Sequence, residues 1–216
     1  MRQPLLFVIP IILISCQAQK IKVLVDKYPD GNPKTIFYFD NRNDVKQHPV
    51  VNIKDGIGFA NKPISFDEER YYENGKLRSQ GSYTKGLSCG LWKYFYDTGI
   101  PQAQCYYLNG ITSDTVYCWY PSGKLKRHLV EIDKAKHDWH DIDYFENQKK
   151  DFDCYLRADS LGNFKMNGLF QEWYDNGQVK FTSNFKNGST NGKWRKYDIN
   201  GKLIEESDKP LSLSFD

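Results

Sequence analysis

Apolar and polar residues alternate along most of the chain, in short aromatic-rich runs that are separated by turn residues. The run at 90–96 is representative: it reads GLWKYFY and is followed by a polar pair and Gly99. Runs of this kind predict β-hairpins. The pattern returns every 24 residues from 75 to 147, then after 30, then again after 24. A fixed period of this length predicts a stack of similar supersecondary units.

Each repeat is centred on a turn residue with an aromatic residue three positions before it. The turn residues are Gly31, Gly75, Gly99, Gly123, Asn147, Gly177 and Gly201. The preceding tyrosines are Tyr28, Tyr72, Tyr96, Tyr120, Tyr144 and Tyr174, and Asp198 takes this position in the last repeat. Asn-Gly pairs such as 74–75 predict two-residue turns with positive φ. In that register Tyr72 faces Leu77, two residues after the turn glycine.

The repeats predict an all-β fold, an elongated antiparallel meander of hairpins in a single curved sheet. We expect strands near 90–96, 101–108, 114–120, 125–131, 138–144, 149–156, 168–174, 179–186 and 192–197. No long helical period is visible, so helix content should be low. The expected organisation is a signal peptide at 1–15, a tether at 16–21, a degenerate first hairpin with an N-terminal cap at 22–65, the repeat array at 66–206 and a C-terminal tail at 207–216.

An aromatic stripe is expected on one face of the sheet, because side chains alternate along a strand. Its members are Tyr72, Trp92, Tyr96, Tyr120, Tyr144, Phe170, Tyr174 and Trp194. Packing between neighbouring hairpins is one role for such a stripe, since an isolated two-stranded hairpin is only marginally stable. Stacking of sugars, peptides or lipid head groups is the other, and the sequence leaves both open.

The strings Gly90–Gly99, Gly168–Gly177 and Gly192–Gly201 resemble MORN-type repeats, most closely the variant class of many bacterial proteins, some of them labelled as YwqK-type antitoxins. The resemblance covers 66–206 well and 22–39 poorly. It implies a repeat scaffold or binding surface with no common chemistry.

The N-terminus carries the pattern of an export signal: Arg2 precedes an apolar stretch at 5–14, which is too short to span a bilayer stably. The sequence Leu13-Ile14-Ser15-Cys16 resembles a lipobox, which implies acylation of Cys16 and a lipid anchor in the cell envelope, with the outer membrane as the expected location. Cleavage after Ala18, with simple secretion, is the alternative.

The charge balance bears on nucleic-acid binding, and the cysteines bear on zinc binding and disulfide formation. The chain has 30 Lys and Arg against 27 Asp and Glu, a net charge of +3 without a basic cluster, which argues against nucleic-acid binding. Four cysteines follow Cys16, namely Cys89, Cys105, Cys118 and Cys154, and none has the CxxC spacing of a zinc site. An oxidised Cys105–Cys118 pair and buried free thiols are both compatible with the sequence.

Candidate chemistry is confined to the segment 137–143, which reads HDWHDID. Two histidines and three carboxylates could ligate a divalent metal, so a metal-dependent enzyme using His137 and His140 is one reading. On a strand, however, residues three apart point to opposite faces, which favours a polar strand without metal. No serine-histidine-aspartate set with recognisable local context occurs, and no phosphate-binding loop. We therefore predict no catalytic residue, no metal and no cofactor.

The leading interpretation is a non-enzymatic envelope lipoprotein whose repeat sheet is a scaffold or holds an unidentified protein or envelope component. An antitoxin or immunity-like protein is the alternative, implied by the labels of similar repeats.

Overall fold

A computed structural model of the chain describes residues 19–46, 50–53, 56–59 and 65–211. The expected signal peptide, Cys16 and the end of the C-terminal tail lie outside these ranges. The structure is 62% strand and 3% helix, which confirms the all-β prediction.

The strands follow one another closely in sequence. They are β1 Ile21–Lys27, β2 Pro33–Phe39, β3 Val50–Ile53, β4 Gly56–Phe59, β5 Phe66–Tyr71, β6 Leu77–Thr84, β7 Leu87–Phe95, β8 Pro101–Leu108, β9 Ile111–Trp119, β10 Leu125–Asp133, β11 Asp138–Tyr144, β12 Lys150–Ala158, β13 Phe164–Trp173, β14 Val179–Lys186, β15 Ser189–Thr190, β16 Trp194–Tyr197 and β17 Leu203–Ser207. A five-residue helix, α1 Arg42–Lys46, lies between β2 and β3.

The main sheet has 15 antiparallel strands in nearly sequential order. Its path runs β1-β2-β5 and then strand by strand to β14, β16 and β17, with the short β15 paired only to β14. This order confirms the predicted meander of hairpins. Strands β3 and β4 form a separate two-stranded sheet, and β2 pairs directly with β5. The first hairpin is therefore continuous with the repeat array.

Helix α1 interrupts the strand pattern where the sequence analysis placed an N-terminal cap. The Asn41 Oδ1 accepts hydrogen bonds from the backbone N–H groups of Asn43 and Asp44, both at 3.0 Å, which is the capping interaction expected at a helix start. In the described ranges no helix combines the length and the apolar character needed to cross a membrane.

The turns at the repeat glycines are longer than the sequence analysis predicted. The N–H of Gly75 donates to the carbonyl of Tyr72, and the N–H of Tyr72 donates to the carbonyl of Lys76. Gly75 has a φ of 78°, whereas Asn74 stays outside the left-handed region. This is the three-residue loop in which a β-turn is followed by a left-handed residue that forms a bulge. The prediction of two-residue turns at these glycines was wrong.

The longer loop changes the strand register by one residue. Leu77 pairs with Tyr71 rather than with Tyr72, and Leu125 pairs with Trp119. The residue four positions before the turn glycine therefore faces the residue two positions after it. The predicted cross-strand pairing of Tyr72 with Leu77 was wrong for the same reason.

The turn at 145–149 is also displaced by one residue from its predicted position. Gln148, with a φ of 67°, takes the left-handed place that glycine takes elsewhere. The N–H of Gln148 donates to the carbonyl of Phe145, so Phe145 stands where the other turns have tyrosine. Asn147 instead matches Asn74: the Oδ1 of each accepts from the lysine N–H two residues on.

Two-residue turns occur at the other ends of the hairpins. Lys85-Gly86, Asn109-Gly110 and Asn187-Gly188 each have two successive residues with positive φ. This geometry matches the natural twist of paired strands. The sheet therefore has a turn edge, formed by the three-residue loops at Gly31, Gly75, Gly99, Gly123, Gln148, Gly177 and Gly201, and an opposite edge, formed by the shorter turns and the connections at 134–137 and 159–163.

One face of the sheet carries the core. Its larger cluster contains Leu129, Trp139, Cys154, Leu156, Met166, Phe170, Phe181, Phe185 and Trp194, all at most 8% exposed. A second cluster of Phe37, Phe39 and Phe66 lies at the N-terminal end. The start of the predicted tail joins the first cluster: Leu211 packs against it and exchanges hydrogen bonds with Thr190. We call this side of the sheet the buried face and the other side the exposed face.

Candidate functional site

A ladder of tyrosine hydroxyl groups runs along the turn edge. Each hydroxyl donates to a backbone carbonyl of the next repeat, at the position four residues before the next left-handed turn residue. The hydrogen bonds are Tyr28 to Tyr71 at 3.0 Å, Tyr72 to Phe95 at 2.8 Å, Tyr96 to Trp119 at 2.8 Å, Tyr120 to Tyr144 at 2.7 Å and Tyr174 to Tyr197 at 3.0 Å. The recurring tyrosine thus joins successive hairpins directly.

Two departures from the repeat pattern change this ladder. Phe145 has no hydroxyl, so the ladder is interrupted between the turn at Gln148 and the turn at Gly177. Asp198 occupies the tyrosine position in the turn at Gly201, after which no further repeat is described. Its carboxylate instead accepts from the N–H groups of Asn200 and Lys202 within its own turn.

Side chains in the loops add a second set of links between repeats. The Nδ2 of Asn74 donates to the carbonyl of Asp97, and the Nδ2 of Asn176 donates to that of Ile199. Lys76 reaches the carbonyl of Thr98 through its Nζ at 2.9 Å. These contacts satisfy carbonyl groups that a loop would otherwise leave to water.

Basic side chains cover four of the ladder tyrosines. In each case the basic residue lies six positions after the tyrosine, on the returning strand. The pairs are Lys34 over Tyr28, Arg78 over Tyr72, Lys126 over Tyr120 and Lys180 over Tyr174, with cation-to-centroid distances of 5.7 to 5.8 Å. Such contacts are weakly stabilising at exposed sites. These contacts were not predicted from the sequence, although the basic residues recur at a fixed offset from the turn glycines.

The structure divides the expected aromatic stripe into two groups. Trp92, Phe170 and Trp194 lie in the core of the buried face, at 4%, 5% and 8% exposure. Tyr72, Tyr96, Tyr120 and Tyr174 lie at the turn edge, where their hydroxyl groups form the ladder. Tyr144 ends β11, and its carbonyl accepts the bond from Tyr120.

Charged side chains also lie on the buried face. The Arg127 Nε donates to Asp141 Oδ1 at 2.8 Å, and its Nη2 donates to Asp141 Oδ2, so a nearly buried carboxylate receives a bidentate pair. Asp143 lies 3.6 Å from the same Nε. Burial raises the pKa of Asp143 to about 6, opposed by Arg127 and reinforced by the charge of Asp141.

A second ion pair on the buried face lies near the first hairpins. Glu68 is 2% exposed and its Oε1 lies 3.0 Å from the Nη2 of Arg70. Burial raises the pKa of Glu68, and Arg70 opposes this shift. Tyr83, whose ring stacks on Phe66 at a centroid distance of 4.8 Å, has its pKa raised to about 12 by burial.

The two histidines of the segment 137–143 take part in separate contacts. The Nδ1 of His137 lies 3.3 Å from Glu131 Oε1 at the opposite edge. The Nε2 of His140 lies 2.7 Å from Asp153 Oδ1, and its ring stacks on Tyr155, its cross-strand partner. Among the described residues, no three His, Cys, Asp or Glu side chains are arranged to hold a metal ion. In the described part of the chain, His137 and His140 are therefore not assembled into a metal site.

The four described cysteines are free thiols. Cys105 pairs in register with Val116, and Cys118 pairs with Ala103, so the two cysteines are diagonal neighbours on β8 and β9. The suggested Cys105–Cys118 disulfide is not formed. Burial raises the pKa of both thiols, which disfavours the reactive thiolate.

Three segments of the chain match the family model described as the MORN repeat variant: residues 67–85, 88–109 and 166–187. These three segments are similar to MORN repeats. Each matched segment begins on the outgoing strand of a hairpin, contains its three-residue loop and ends at the first residue of a two-residue turn. This agrees with the resemblance found in the sequence and with an antiparallel hairpin array. No curated protein matches the chain.

Proposed function

We propose that this protein is a non-enzymatic scaffold whose MORN-like sheet holds a protein or another component of the cell envelope. The tyrosine ladder is the observation that carries this proposal. It links hairpin to hairpin through side-chain-to-backbone bonds in addition to the strand pairing, and such a continuous array presents an extended surface with fixed spacing.

The exposed face is the surface that we assign to the partner. Large apolar side chains remain accessible on it at points several hairpins apart, among them Tyr106 and Leu169, each 41% exposed. Both lie next in sequence to residues of the buried face, so they point away from the core. Aromatic and aliphatic side chains of this kind are frequent anchors in protein interfaces.

Photo-crosslinking tests this proposal in cells. A photoreactive phenylalanine analogue replaces Tyr106 in one variant, Leu169 in a second and Glu73 in a control, since Glu73 is exposed in a turn-edge loop. We expect the first two variants to capture the same partner and the control to capture none. Absence of a shared partner at Tyr106 and Leu169 would contradict the proposal.

Membrane anchoring through Cys16 is the second part of the proposal. It rests on the lipobox-like sequence Leu13-Ile14-Ser15-Cys16. Metabolic labelling with a clickable fatty acid should mark the wild-type chain and leave Cys16→Ser unlabelled. If the wild-type chain takes no label and its mature N-terminus is Gln19, the protein is secreted without a lipid.

A further inference from the structure

A cavity of about 460 Å³ opens at the opposite edge, away from the tyrosine ladder. It lies between the β8–β9 turn, strands β10 and β11, and the connection at 159–163. This connection folds back onto β9: a Cβ on Gly162 would lie 3.7 Å from Ile111 Cγ2. The volume is within the range of small-molecule sites.

The walls of this cavity are largely apolar. Trp139 and Phe164 meet in it with perpendicular rings, 5.5 Å apart at their centroids. Leu108, Ile111 and Leu161 also line it, and they are 64%, 49% and 81% exposed. Aliphatic side chains at this level of exposure are left without a packing partner, so the cavity favours a ligand with an apolar body.

The one strongly buried acid in the lining is Glu131, whose side chain is 6% exposed. Among the described residues its carboxylate has weak partners: the Nδ1 of His137 at 3.3 Å and the N–H of Asp114 at 3.4 Å. His137 is itself 58% exposed, so it can rotate away from the carboxylate.

Nearby cations are engaged elsewhere. Lys134 lies 3.6 Å from Asp114, and Lys136 lies 2.9 Å from Asp133. The lining contains no lysine or arginine, whereas it contains Glu131 and Asp159. A buried carboxylate without a strong cationic partner favours a ligand that brings a positive charge.

We propose that this cavity binds a small organic cation: an ammonium group on an apolar body. The ammonium replaces His137 as the partner of Glu131, and the apolar body packs against Trp139, Phe164 and Leu161. The two aromatic rings also favour a cation beside them.

Isothermal titration calorimetry of the purified full chain tests this proposal with three probes of similar size. Phenylalaninol carries an ammonium and a hydroxyl, phenylethanol is neutral and phenylpropionate is anionic. We expect saturable binding of phenylalaninol, weaker binding of phenylethanol and the weakest binding of phenylpropionate. Absence of saturable phenylalaninol binding, or equal affinity for all three probes, overturns the proposal.

Three variants separate the cavity from other acidic sites. Glu131→Gln should weaken phenylalaninol binding roughly tenfold, because a charged hydrogen-bond acceptor is lost. The control Glu73→Gln changes an exposed carboxylate in a turn-edge loop and should have no effect. Leu161→Ser, at a position that is 81% exposed, should keep the fold and weaken both phenylalaninol and phenylethanol.

The variants also give clear contrary outcomes. Unchanged phenylalaninol binding in Leu161→Ser overturns the site. Unchanged binding in a folded Glu131→Gln protein overturns the role of the carboxylate. If Glu131→Gln does not fold, the probe series and Leu161→Ser decide the question.

Discussion

The Tyr72 hydroxyl donates a hydrogen bond of 2.8 Å to the carbonyl oxygen of Phe95, 23 residues further along the chain. This bond crosses from the loop of one hairpin to the end of a strand in the next. Each hairpin thereby fixes the position of its successor at the turn edge, where the strand ladder has already ended. In a repeat array, such contacts between neighbours determine how cooperatively the units unfold.

Removal of this hydroxyl should weaken the link between two repeats. We expect Tyr72→Phe to lower the free energy of unfolding by about 1 kcal/mol, the net contribution of a typical hydrogen bond. Chemical denaturation measures the change. Tyr106→Phe is the matched control, since the Tyr106 hydroxyl has no hydrogen bond among the described residues and should leave stability unchanged. Equal effects of the two substitutions would mean that the ladder does not stabilise the array.

Restoration of the interrupted ladder should have the opposite effect. In Phe145→Tyr the new hydroxyl would point toward the repeat that turns at Gly177, where Trp173 occupies the acceptor position by analogy with Phe95. We expect a gain of about 0.5 to 1 kcal/mol in the free energy of unfolding. Hydrogen exchange of the amides at 174–178 should slow in parallel. Faster exchange there would show that the hydroxyl does not fit.

The turn glycines should resist substitution for conformational reasons alone. A Cβ on Gly75 would meet nothing within 4 Å, but its φ is 78°. We expect Gly75→Ala to destabilise the protein by roughly 1 kcal/mol, because a residue with a side chain is strained in the left-handed region. Thermal unfolding gives the measurement, and Glu73→Ala in the same loop should be nearly neutral. Similar losses in both variants would point to a cause other than φ.

Strand positions could be predicted from the sequence because each hairpin is formed by residues that are close together in the chain. The predicted segment 101–108 coincides with β8, and the segments 138–144 and 179–186 coincide with β11 and β14. Aromatic alternation and glycine spacing are sufficient for this, since each strand pairs with its neighbour in sequence.

Turn geometry could not be predicted in the same way. Asn74-Gly75 suits a two-residue turn as well as the observed loop, because glycine at positive φ serves both. Gln148 adopts the left-handed conformation although it is not glycine, so its residue type does not mark it as the turn residue. The cavity near Glu131 depends on a connection that folds back over β9, and such long-range packing leaves no periodic pattern.

Close packing of Trp92 over Gly81 gives a further prediction. A Cβ on Gly81 would lie 2.1 Å from Trp92 Cδ2, so even alanine requires the indole to move. Trp92 is 4% exposed and donates through Nε1 to the carbonyl of Ser82. We expect Gly81→Ala to destabilise the protein by about 1 to 3 kcal/mol through overpacking.

A double-mutant cycle isolates the contact between the two residues. Trp92→Leu should cost less in the Gly81→Ala background than in the wild type, because the smaller side chain relieves the clash. Additive costs would show that the two positions are independent.

Asp143 should make stability depend on pH. Its pKa is about 6 in the folded protein, above the ordinary value of 3.8, because burial disfavours the charged form and Arg127 compensates only in part. The folded state therefore holds this proton more tightly than the unfolded state does. The resulting stabilisation is present below about pH 4 and is lost as the pH rises through 6.

Asp143→Asn removes the buried charge and keeps the shape of the side chain. We expect it to raise the free energy of unfolding by about 1 to 2 kcal/mol at pH 8 and to have little effect at pH 4. Urea denaturation of both proteins across this range measures the difference, in which effects common to both cancel. Asp97→Asn, at an exposed loop position, is the control and should give no pH-dependent gain. A loss of stability at pH 8 in Asp143→Asn would show that the Asp143 charge is needed beside Arg127 and that attraction to Arg127 outweighs the cost of burial.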